Sequence, residues 1–270
     1  MLYEEFASKY HNLIYAPLDI KLPNLDLNKL IDYSLKHRKE LIYDPYCYAM
    51  TRYKPEVTKV DVDSYLASSQ QSFWETYYPL LEGKWLANFD TEFPELIKLF
   101  NDLPMPNFGT LGYLYQNNNF DCESGPIHFD QKKGLGIRIT FSSDTHGLFF
   151  HKPIHPLNSD QPENLMIKRK IDEINILDDY GDALIKNGSY VINEEILHPK
   201  RIYATQTNTT AQAFILTNEL APHAVLKRKN PSITFALFGK KDHKERFYWD
   251  QLDKILTTTQ EKFPNSFIWL

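Results

Sequence analysis

The amino-acid pattern predicts an α+β fold with a mainly β core and helices packed outside it at both ends of the chain. Three observations carry this expectation. Apolar residues recur at helical spacing in the first hundred residues and again after residue 240. Between them lie seven short runs rich in β-branched and aromatic residues, separated by polar turns. Aromatic residues make up 14% of the 270 while only 10 are Gly, which suits a packed core rather than a linker or a disordered chain.

Asp26 precedes Leu27, Leu30, Ile31 and Leu35, an amphipathic set that places Asp26 as an N-cap. A second helix is expected from Asp63 through Tyr65, Leu66, Phe73, Trp74, Tyr77 and Tyr78, stopped by Pro79 and Gly83. A third covers 95–100. After Pro104 and Pro106 the expected strands are 110–115, 135–142, 147–151, 189–193, 201–205, 212–217 and 232–238. So many short strands in succession indicate a sandwich or barrel rather than a parallel α/β sheet. The polar stretch 156–182, with a helix over 164–175, reads as an insertion over one rim. Phe247, Tyr248, Leu252, Ile255 and Leu256 form one face of a last helix before Pro264. No boundary rich in Pro, Gly and Ser divides the chain, so 1–270 is read as one domain. Its parts are a helical N-terminal part (1–105), a β core (106–240) with an insertion at 153–187, and a C-terminal helix (241–270).

With 30 basic against 35 acidic side chains the net charge is -5, and the densest basic run, Lys227-Arg228-Lys229, is three residues long. A nucleic-acid partner is therefore not expected. No stretch has the length and apolarity of a membrane span, and Glu4 and Glu5 stand where a secretory leader carries positive charge. Two cysteines, Cys47 and Cys122, are too few for a disulfide framework. Together these features lead to the expectation of a cytoplasmic protein without a membrane partner.

Two strands alternate cleanly. In 135–142, Arg138 and Thr140 lie opposite Ile137, Ile139 and Phe141; in 232–238, Ser232 and Thr234 lie opposite Ile233, Phe235 and Leu237. Outer helices need an apolar sheet face to cover, so the polar faces are expected to point into a shared interior, where an Arg flanked by hydroxyls would hold an anion.

The chemistry-bearing pattern is His128-Phe129-Asp130 with His223 far downstream. Two imidazoles and one carboxylate on one face of an octahedron are the ligand set of non-haem Fe(II) oxygenases, which leave the remaining positions for cosubstrate and oxygen. With 9 His and 35 carboxylates, about one His-x-carboxylate arises by chance, and His243-Lys244-Glu245 is a second match. Context separates them: His128 and His223 each precede one of the two alternating strands, whereas His243 lies beyond the last strand with no later His. His146, His151 and His155 form a weaker set with zinc-like spacing but no Cys or carboxylate within it.

The stretches Gly125-Pro126-Ile127-His128-Phe129-Asp130 with Gly136-Ile137-Arg138-Ile139-Thr140-Phe141, and Glu219-Leu220-Ala221-Pro222-His223-Ala224-Val225 with Ser232 to Leu237, resemble the Fe(II)/2-oxoglutarate-dependent dioxygenases. The likeness is to the aspartyl/asparaginyl β-hydroxylase and proline hydroxylase branch, and it covers roughly residues 110 to 240. It implies a double-stranded β-helix (jelly roll, cupin-like), iron ligands His128, Asp130 and His223 that also form the catalytic set, and Arg138 on a cosubstrate carboxylate. That family usually has a second Arg or Lys about ten residues after the distal His. Here the position holds Ile233, flanked by Ser232 and Thr234; these two hydroxyls and Tyr115 are the further candidate cosubstrate contacts. Tyr113 and Gln116, on the same strand as Tyr115, are candidates to line the pocket.

The implied activity is hydroxylation of an unactivated C–H in a small amino acid or a peptidyl side chain, using molecular oxygen and 2-oxoglutarate on a substrate with a carboxylate. Two alternatives stay open: a cupin-like metalloenzyme that does not use 2-oxoglutarate, and a non-catalytic jelly-roll binding protein.

Overall fold

The computed structural model describes residues 1–41, 74–103, 111–116, 128–130, 135–142, 147–153, 189–191, 197–204, 211–217, 223–226, 230–238 and 246–269. The expected insertion helix, Cys47, Cys122, His146, His155 and His243 lie outside these residues.

The fold is α+β. In chain order the elements are α1 (Tyr3–Lys9), β1 (Leu13–Pro17), α2 (Leu27–Lys36), α3 (Arg38–Leu41), β2 (Trp74–Leu81), β3 (Lys84–Trp85), α4 (Phe89–Glu92), α5 (Pro94–Asp102) and β4 (Leu111–Gln116). They continue with β5 (His128–Asp130), β6 (Leu135–Ser142), β7 (Leu148–Pro153), β8 (Ser189–Val191), β9 (Leu197–Tyr203), β10 (Ala211–Thr217), β11 (His223–Val225) and β12 (Ser232–Phe238). The chain ends with α6 (Arg246–Lys262), a 3₁₀ turn (Pro264–Ser266) and β13 (Ile268–Trp269). No helix among the described residues is long and apolar enough to cross a membrane.

The strands form two antiparallel sheets, one of eight in the order β13-β1-β10-β6-β12-β4-β2-β3 and one of five in the order β8-β5-β11-β7-β9. Neither sheet closes on itself among the described residues: β13 and β3 are the edges of the larger, β8 and β9 those of the smaller.

Strands β6 and β12 match their expected limits, and their alternation decides the layering. Ile137, Ile139, Phe141, Ile233, Phe235 and Leu237 are all buried in one apolar cluster with residues from four helices: Phe6 of α1, Leu30 of α2, Leu96 of α5 and Leu252 of α6. This is the helix-covered face. The opposite face of the large sheet packs on the small one through a second cluster, in which Tyr15 of β1 and Phe214 of β10 meet Leu148 and Phe150 of β7. Tyr15 lies 5.9 Å from Phe150 and 5.3 Å from Phe214, centroid to centroid.

Helix α2 starts where expected. Asp26 has extended backbone, and its carboxylate accepts the Lys29 backbone N–H at 3.2 Å, satisfying one of the four unpaired donors of the first turn. Asp26→Ala is expected to cost about 1 kcal/mol, read as a lowered midpoint of thermal unfolding. At the other end, Tyr3 and Phe6 of α1 pack with tilted rings against Trp249 of α6 at 5.0 and 5.1 Å, and the Tyr10 hydroxyl donates to Asp253 at 2.7 Å, so the first and last helices share one layer.

The N-terminal part is less helical than its sequence suggests. The helix expected to run from Asp63 to Tyr78 is contradicted at its end, since Trp74–Leu81 is strand β2, paired antiparallel with β4. Trp, Thr and Tyr favour a pleated surface, and the partner strand outweighs a helical reading of the same apolar spacing. Pro79, read as a helix stop, sits where the register shifts between Tyr77 and Leu80. A proline, lacking an N–H, is tolerated at such a bulge. Strand β1 was not expected either, and β13 follows the last helix as its neighbour in the large sheet.

Candidate metal centre

Strands β5 and β11 are each three residues long, and His223 of β11 is paired directly with His128 of β5. On its other side His223 pairs with Phe150 of β7. Directly opposed residues of an antiparallel pair lie on the same face with Cβ atoms about 4.5–5.5 Å apart, a span that two imidazoles bridge through one ion. Asp130 is two residues beyond His128, and the period of two in a strand returns it to that face. Backbone register thus sets His128 directly opposite His223, with Asp130 two residues along the same strand. Among the described residues no group of three His, Cys, Asp or Glu side chains forms a metal cluster, so the assembly stands on register.

His223 faces inward. The His223 ring is 6.0 Å from that of Phe150, Phe150 belongs to the cluster between the sheets, and His223 is 4% exposed. His151, one residue on from Phe150, takes the other face of β7, its ring 5.5 Å from Phe149.

Across from this patch the large sheet presents its polar positions in rows. Phe214, Arg138 and Ala236 lie side by side on β10, β6 and β12, and Gln212, Thr140 and Thr234 form the next row. A third row is Ser142, Ser232 and Gln116, the last on β4. Arg138 is only 8% exposed, and Thr140, Ser142, Gln212 and Ser232 are buried with it. Within the middle row the Thr140 and Thr234 hydroxyls are 2.9 Å apart and hydrogen-bonded. A guanidinium and several hydroxyls on one wall are donors of the kind that a carboxylate accepts from.

Of the expected cosubstrate contacts, Arg138, Ser232 and Thr234 share this face. Tyr115 does not, and its expected role is corrected: it pairs with Ile233 and is buried with it in the helix-covered cluster. Tyr113 lies on that same side, its hydroxyl 2.8 Å from the Ser34 hydroxyl. Burial pushes the Tyr113 phenol well above its ordinary range and keeps it neutral. The residue types at 232–234 become intelligible on this layout. Ile233 packs against helices, so a basic side chain there would enter the apolar core, whereas Ser232 and Thr234 are the positions that reach the interior.

Two inward-facing residues escaped the reading of the sequence. Tyr15, on the unexpected β1, is 1% exposed, and Gln212 donates an amide N–H to its hydroxyl at 2.5 Å. A signal for Gln212 was present: it is a lone amide in the apolar run Ala211–Thr217.

Two imidazoles and a carboxylate are a donor set that fits an Fe(II) ion, and a guanidinium is a donor that fits an oxoacid. No family model matches this chain, and no curated protein matches it.

Proposed function

We propose that this protein is an Fe(II)- and 2-oxoglutarate-dependent dioxygenase of double-stranded β-helix architecture, hydroxylating an unactivated C–H of a small amino acid or a peptidyl side chain. The observation that carries the reading is the direct pairing of His223 with His128, with Asp130 in phase with them and the buried Arg138 on the sheet opposite. Two antiparallel sheets packed face to face support the architecture.

His128, Asp130 and His223 would hold the iron, which together with 2-oxoglutarate and oxygen supplies the oxidising power for a C–H bond. The carboxylate at 130 matters for the outcome, because halogenating enzymes of this kind replace it with a small residue to admit chloride. Arg138 would grip a carboxylate of 2-oxoglutarate with its forked N–H donors, while Thr140 and Thr234 add hydroxyls to the same wall. Tyr15, Phe150 and Phe214 close the apolar side between the sheets and exclude water from it.

Anaerobic titration of Fe(II) and then 2-oxoglutarate into the full-length protein tests the reading. A visible metal-to-ligand charge-transfer band is the expected result. Iron binding without the band would favour a metalloenzyme that does not use 2-oxoglutarate, and absence of iron binding would favour a binding protein. Arg138→Ala is expected to keep iron but lose about 1.5–3 kcal/mol of 2-oxoglutarate binding, a rise in Kd of roughly ten- to a hundredfold. Titrating the band against 2-oxoglutarate measures it, and an unchanged Kd would remove Arg138 from the site.

A further inference from the structure

Tyr15 touches both halves of the candidate site without belonging to either. Its ring packs on Phe214, the direct strand partner of Arg138, and on Phe150, the direct strand partner of His223. The hydroxyl is fixed by the Gln212 amide, and Gln212 is the strand partner of Thr140 in the polar row. Burial raises the phenol far above its ordinary titration range, so it stays a neutral hydrogen-bonding group at any physiological pH.

A ring that merely filled space between two sheets would not need an oriented hydroxyl. A Phe would supply the same apolar area without the cost of burying an oxygen. The hydrogen bond instead restricts how the ring can turn and slide. Two of the ring's neighbours, Phe214 and Phe150, are the strand partners of Arg138 and His223.

We infer that Tyr15, held by Gln212, is a positioning residue that sets the placement of the His223 imidazole relative to Arg138. This rests on the reading of His223 and Arg138 as iron and cosubstrate contacts. Removing the hydroxyl leaves the packing nearly intact but lets the Tyr15 ring shift, and Phe150 passes the shift to His223. Gln212 acts only through Tyr15, so its loss has the same effect and the two losses do not add.

The experiment follows the His223 ring resonances in the metal-free, full-length protein, assigned by their disappearance in His223→Gln. Tyr15→Phe and Gln212→Leu are expected to move them in the same direction and by a similar amount, with no further change in the double variant. Ile268→Val, a trim in the same apolar cluster, is expected to leave them in place. In the iron-loaded protein, Tyr15→Phe is expected to weaken 2-oxoglutarate binding about three- to tenfold, the scale of one hydrogen bond, at unchanged iron stoichiometry. His223 resonances unmoved in Tyr15→Phe and Gln212→Leu, or moved equally by Ile268→Val, overturn the inference. If the wild type binds no Fe(II), the functional reading falls while the resonances still decide whether Tyr15 positions His223.

Discussion

His128→Ala and His223→Ala are each expected to abolish stoichiometric Fe(II) binding, and with it any 2-oxoglutarate turnover. Changing a residue that only orients a ligand already costs about 10–100-fold in metal affinity, so deleting one of three protein ligands should exceed the upper end of that range. His223→Ala is expected to lose stability as well. His223 is buried against the Phe150 ring, so its truncation also opens a cavity between the sheets and lowers the unfolding temperature. His223→Gln fills more of that space and separates lost packing from lost ligation. Iron retained per chain after anaerobic equilibrium dialysis, measured beside the thermal midpoint, is the readout. Turnover in His128→Ala at the wild-type rate would sink the assignment, because its strand partner His223 cannot complete a face of the octahedron with Asp130 alone.

The site was legible in the sequence where strand alternation is long enough to read. Eight residues from Leu135 and seven from Ser232 fix which side chains go to the helices and which go inward, and that alternation correctly set Arg138, Thr140, Ser232 and Thr234 apart from Ile233. The three-residue strands carrying His128 and His223 are too short to show any period, and their pairing is a long-range contact that no local pattern encodes. Tyr115 was misplaced for a related reason. In Leu111–Gln116 the sequence puts Leu, Tyr and Tyr on one face and Gly, Leu and Gln on the other, so only the last residue marks a polar face, and the register with Ile233 settles the side of Tyr115. Strands β1 and β2 were missed because short aromatic-rich runs beside helices carry no signal of the partner strand that extends them. The coarse α+β architecture and the polar face of β6 and β12 were therefore readable, while the order of strands and the placement of Tyr15 depended on tertiary pairing.

Phe235→Ala is expected to be the most damaging single change to stability in the large sheet. Phe235 has no exposed surface, and its ring lies 5.0 Å from Tyr113 and 5.1 Å from Phe100, with Phe141 at 6.3 Å and Phe89 at 6.4 Å. These rings come from β4, β6 and two helices, so no single element can move in to fill the space. A Phe-to-Ala truncation in such a core costs about 3–5 kcal/mol, against a total stability of about 5–15 kcal/mol. At roughly 2–4 °C per kcal/mol for a chain near this size, the unfolding midpoint should fall by about ten degrees. Phe235→Leu, which keeps most of the volume, should lose much less. The neighbouring Thr234→Val gives the contrast that ties this to function. Thr234 lies on the opposite face, where its hydroxyl meets Thr140, so its loss should cost only about 1 kcal/mol of stability while altering the polar wall beside Arg138. If Phe235→Ala unfolded at the wild-type temperature, the apolar face of β12 would not be the helix-covered core. The inward assignment of Ser232 and Thr234 would then fail with it, since the two faces of one strand cannot be reassigned separately.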